Sequence, residues 1–74
     1  MARQFTVYLS YENEDPRALA EALVATLEDA PISVGQNPLS GGVELRFHYF
    51  PGLRQRIANW LTLKRAVWDI NVYD

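Results

Sequence analysis

Cysteine is absent from the chain. That excludes disulfides, thiolate metal sites and a cysteine nucleophile. A single histidine, His48, leaves any zinc centre to be built almost wholly from carboxylates, which is unusual. Apolar runs are short, the longest being Ala22–Ala25, far below the length of a membrane span. No charged, apolar and small-residue succession of the signal-peptide kind precedes the first patterned segment, so the sequence reads as a stand-alone cytoplasmic chain. Positive charge is not in excess either. Seven Lys and Arg stand against nine Asp and Glu, a net charge of −2 with a pI near 5.2, so bulk charge does not draw the chain to nucleic acid.

What is present is an ordinary globular composition, 49% hydrophobic and 22% charged, in 74 residues. That length makes one domain, residues 1–74. At this size, with no disulfide or metal to staple it, the core must carry the stability.

Gln4 to Tyr11 alternates, with Phe5, Val7, Leu9 and Tyr11 on one face and Gln4, Thr6, Tyr8 and Ser10 on the other, which predicts a strand. Asp15 followed by Pro16 is a helix start, because the carboxylate caps free N–H groups and proline suits the first helical position. Leu19, Leu23 and Leu27 then recur every four residues, which predicts a helix over Pro16–Asp29, ended by Pro31. Ile32–Val34 reads as a short strand, and Gly35–Gly42 as a turn-rich loop, longer than a tight hairpin needs. Val43 to Phe50 is a second long strand, with Val43, Leu45, Phe47 and Tyr49 facing one way. After Pro51 and Gly52, a helix stripe of Leu53, Ile57, Trp60 and Leu61 leads to a last strand over Ala66–Tyr73. The expected core is Phe5, Val7, Leu9, Leu19, Leu23, Leu27, Val34, Leu45, Phe47, Ile57, Leu61, Trp68 and Ile70.

The order β-α-β-β-α-β is the split βαβ pattern. It resembles the ferredoxin-like fold. That resemblance implies an α+β domain: an antiparallel four-stranded sheet in the order 4-1-3-2, both helices on one face, and the other face open. It is topological and carries no functional residues.

Chemistry is thin. Ser10, Ser33 and Ser40 lack a Gly-x-Ser-x-Gly elbow that would pair one of them with His48. Acylphosphatases of this fold use a glycine-rich anion loop with an arginine after the first strand. Here that loop is Glu12-Asn13-Glu14-Asp15, which repels phosphate. The metal chaperones of the fold need a cysteine pair there. Glu12, Glu14 and Asp15 offer oxygens to Ca²⁺, without the spacing or glycine of an EF-hand. No catalysis, metal or cofactor is expected. Tyr8, His48 and Phe50 lie on the two central strands, as stacking aromatics do in RNA-recognition domains, which keeps RNA binding as an alternative. Glu44 and Asp69 share that face and raise the cost of bringing a phosphate chain close. A small sensing or oligomerisation domain is a further alternative.

The charge map is the most informative feature. Glu14–Asp29 carries a local charge of −4 and Pro51–Arg65 one of +4. Glu14, Glu21 and Glu28 recur every seven residues, which on a helix places them near one face. A solvated helix face explains such acids as ordinary surface, with Arg17 pairing to Glu14 or Glu21. Read functionally, Glu12, Glu14, Asp15, Glu21, Glu28 and Asp29 form a surface for a basic partner. In size, charge and architecture the chain is similar to the small phage-encoded inhibitors of the anti-CRISPR type. That similarity implies a non-catalytic protein-binding function: occupying a basic nucleic-acid site on an effector complex in a bacterial host cell, as a monomer or weak dimer.

Overall fold

The computed structural model describes residues 3–37 and 39–73. Six elements follow in the order β1 (Gln4–Leu9), α1 (Pro16–Thr26), β2 (Ser33–Gln36), β3 (Val43–His48), α2 (Leu53–Leu63) and β4 (Trp68–Tyr73). The four strands form one antiparallel sheet, ordered β2-β3-β1-β4, which is the ferredoxin-like arrangement.

Alternation along the strands sorts the two faces. Phe5, Val7 and Leu9 pair in register with Phe47, Leu45 and Val43, and all six are buried. Opposed residues of an antiparallel pair share a face. One face of the central pair is therefore wholly apolar, and the Phe5 and Phe47 rings stack across it at 5.4 Å. Ala20 and Leu23 of α1 and Leu53, Ile57 and Leu61 of α2 complete the same cluster, so both helices cover this face. The other face carries Thr6 and Tyr8 on β1, Glu44, Arg46 and His48 on β3, and Asp69, Asn71 and Tyr73 on β4.

Several boundaries differ from the periodicity, each for a local reason. β1 stops at Leu9 because Ser10 begins a turn: its hydroxyl accepts the Glu12 N–H and its carbonyl the Asn13 N–H. Tyr11 is thereby 61% exposed instead of continuing the core face. Asp15 caps α1 as expected, accepting the Ala18 N–H at 3.1 Å, with Pro16 in the first turn. The helix ends at Thr26, not Asp29. Leu27 is already extended and returns its N–H to Val24, while its side chain packs on the core.

β2 starts at Ser33 and runs on through Gly35 to Gln36, so the following loop is shorter than Gly35–Gly42 suggested. β3 stops at His48 instead of Phe50, and β4 starts at Trp68 instead of Ala66. Ala66 is held by the end of α2. Its N–H reaches the Leu61 carbonyl and the Arg65 N–H the Thr62 carbonyl, with Arg65 left-handed at φ 55°. This is a Schellman closure with arginine where glycine usually sits. Of the expected core, Leu19, Leu27, Trp68 and Ile70 are partly buried against the cluster. Val34 is 55% exposed, because β2 is an edge strand and an open groove separates it from α1.

Candidate protein-binding surface

The six acids reach the surface in three places. Glu12, Glu14 and Asp15 belong to the turn between β1 and α1. Asn13 fixes that turn: its side-chain amide donates to the carbonyls of Ser10 at 2.8 Å and Val67 at 2.9 Å, and its oxygen accepts the Val67 N–H at 2.9 Å. The bracket clamps the acidic turn to the start of β4, immediately after the basic end of α2. A groove of about 580 Å³ results, with Glu12, Glu14 and Asp15 on one side and Lys64 and Arg65 on the other. The sequence places the acidic and basic segments far apart; the fold sets them side by side. Asn13 was the residue whose role the charge pattern gave no means of finding, since its signal is a turn preference and nothing more.

Glu21 lies on α1 itself, a turn beyond Arg17, and borders a second groove between α1 and β2. Glu28 and Asp29 follow the helix end. Asp29 is half-buried and faces Arg56 of α2 at 3.7 Å, the ion pair that joins the acidic segment to the basic helix. Only Glu21 of the heptad-spaced trio is therefore helical, because Glu14 precedes α1 and Glu28 follows it. The regular spacing along one helix face does not exist in the folded chain.

Glu12, Glu14, Glu21 and Glu28 are exposed and, among the described residues, make no side-chain hydrogen bond or ion pair. Asp15 is occupied by its cap and Asp29 by Arg56. Four carboxylates thus remain exposed and without an ion pair among the described residues: two before α1, one on it and one after it.

The open sheet face is organised differently. The Tyr8 hydroxyl donates to Ser40 Oγ at 2.7 Å, which ties the ring to the β2–β3 loop. Its ring also lies against Gly42: a Cβ there would stand 2.6 Å from Tyr8 Cε1 and Cζ and from the Leu9 carbonyl oxygen. His48 is exposed at the end of β3, and Phe50, 49% exposed, lies past the strand in the turn toward α2. The three aromatics considered for RNA stacking therefore differ in setting: one strapped down, one on the strand and one off it. Tyr73, at the same sheet level as Gln4 and His48, is the other exposed aromatic of this face.

The loop after β2 closes on itself. Asn37 Oδ1 accepts the N–H groups of Leu39 and Ser40, and the Asn37 backbone exchanges hydrogen bonds with Gly41 and Gly42. Leu39 is left 97% exposed at its tip. Among the described residues no helix is long and apolar enough to cross a membrane, and no three His, Asp or Glu side chains group to hold a metal ion. No protein-family model, curated protein or solved structure matches the chain.

Proposed function

We propose that the chain is a non-catalytic protein-binding domain that docks its acidic α1 side on a basic, nucleic-acid-binding partner, as an inhibitor of the anti-CRISPR type. The observation that carries this reading is the set of exposed, unpaired carboxylates, Glu12, Glu14, Glu21 and Glu28. A partner's Lys or Arg side chains meet them without first breaking an internal ion pair. Opposite charge across an interface chiefly raises the association rate and selects the partner. Such binding weakens with salt, since screening acts over ~8–10 Å at physiological ionic strength. Tyr8, strapped by Ser40, ranks RNA stacking below this reading.

The test is competition. Purified RNA-guided CRISPR effector complexes are incubated with fluorescent target DNA and the chain is titrated in. The parent is expected to displace DNA from at least one complex, less well as salt rises. The variant Glu12→Lys/Glu14→Lys/Glu28→Lys should fold like the parent, because exposed charges contribute roughly 0–1 kcal/mol each. It should lose displacement by at least about tenfold, equivalent to ~1.4 kcal/mol. Asp15 and Asp29 are spared because they cap and tether α1. No displacement from any complex, equal displacement by the folded variant, or direct DNA binding by the chain would overturn the reading.

A further inference from the structure

The sheet has two free edges, β2 and β4, and the chain treats them differently. On β4 the Ser10 N–H bonds the Val67 carbonyl, and this sets the alternation along the strand. Trp68, Ile70 and Val72 turn their backbone groups outward. The outward N–H of Ile70 is taken by the neighbouring Asp69 carboxylate at 3.0 Å. A strand approaching β4 meets a charge and a donor already in use, a known way of blunting an edge.

β2 has no such device. The Asn37 N–H bonds the Gly42 carbonyl at 2.8 Å, so by the same alternation Val34 and Gln36 point their N–H and C=O groups to the free edge. Ser33–Gln36 carries neither charge nor proline, and all of it is exposed. Beside this edge runs the groove of about 420 Å³ between α1 and β2, floored by Val34 and walled by Ala20, Val24 and Ala25. Arg17 and Glu21, opposite charges one turn apart on α1, line the same groove as Gly35 and Gln36.

We infer that this face joins two copies of the chain. An antiparallel pair about a two-fold axis through Gly35 sets Val34 of one copy opposite Gln36 of the other. Their outward backbone groups then bond reciprocally, and opposed side chains stay on the same sheet face. Glycine at the axis leaves the close, non-bonded pair free of side chains. With strands ~4.8 Å apart the two grooves face each other across the axis, and Val24 and Val34 of both copies close one apolar space. The two α1 helices run antiparallel, so Arg17 of each copy meets Glu21 of the other. The rim is self-complementary in charge, and that selects a second copy over an unrelated strand. The dimer engages Glu21 of each copy and leaves Glu12, Glu14 and Glu28 to the partner of the inhibitor reading, and its test needs no partner protein.

Sedimentation equilibrium over a range of chain concentrations supplies that test. The parent is expected to approach twice the 8.5 kDa chain mass below about millimolar concentration. Arg17→Glu should weaken association by about tenfold or more, since it sets like charges against each other at both ends of the interface. Arg17→Glu combined with Glu21→Arg should restore it. Val34→Lys, at a position 55% exposed in the single chain, should abolish it with the circular dichroism spectrum unchanged. Asn71→Lys on β4 should leave it intact. A parent that stays monomeric, a charge swap that fails to restore association, or a dimer lost on Asn71→Lys and kept on Val34→Lys would overturn the proposal.

Discussion

Gly42→Ala is the smallest change with a large expected effect. A Cβ at Gly42 meets the Leu9 carbonyl oxygen and the Tyr8 atoms Cε1 and Cζ, each at 2.6 Å. The carbonyl belongs to the central strand β1 and has little freedom. The ring could swing away only by stretching the 2.7 Å hydrogen bond from Tyr8 to Ser40. Overpacking of this kind costs ~1–3 kcal/mol, and a lost hydrogen bond adds about 1 kcal/mol. The sum, about 2–4 kcal/mol, compares with a total stability of roughly 4–11 kcal/mol for a chain of this length. Each kcal/mol corresponds to ~4–8 °C in a domain this small. Thermal denaturation followed by circular dichroism should therefore show a melting point lowered by at least about 8 °C. In a Tyr8→Ala background the same change should cost less, because one of its two obstacles is gone. A melting point within a degree or two of the parent would mean that the ring does not lie over Gly42, and the tethered view of Tyr8 would fall with it.

Other consequences are simpler to read. Leu23→Ala or Phe47→Ala, each at a fully buried site, should cost ~2–5 kcal/mol in urea denaturation. Arg65→Gly should stabilise by about 1 kcal/mol in the same assay, since arginine occupies a left-handed position at φ 55° that glycine takes without strain. Thr6→Val should leave stability equal or slightly higher, because the buried Thr6 hydroxyl has no hydrogen-bond partner among the described residues.

The parts of the fold legible in the sequence are those whose signal is local and repeated. β1 and β3 alternate cleanly because each is covered on one face only, and Asp15-Pro16 marks the start of α1 through chemistry confined to one turn. Strand order came from the resemblance of the β-α-β-β-α-β succession to the ferredoxin-like fold, and the sheet has it. What escaped was set by contacts distant in sequence. Val34 reads as core, yet β2 sits at the sheet edge, where the groove between it and α1 stays open. Tyr11 continues the alternation of β1, but Ser10 turns the chain away to meet Asn13 and Val67. The heptad of Glu14, Glu21 and Glu28 is a sequence regularity that two helix ends erase. The acids themselves were identifiable. Their neighbourhood with Lys64 and Arg65 was not, because Asn13 builds it across the width of the fold.

The central claim is that the acidic surroundings of α1 form the contact surface, and amide line broadening in the ¹⁵N-labelled chain tests it residue by residue. The chain is titrated with substoichiometric amounts of whichever effector complex gives displacement in the competition assay. Signals of Tyr11, Glu12, Glu14, Arg17, Ala18, Glu21 and Glu28 are predicted to lose intensity first, and to recover as salt is raised. Loss centred instead on Tyr8, Arg46, His48 and Tyr73 of the open sheet face, or along Arg54 and Arg56 of α2, would contradict the account.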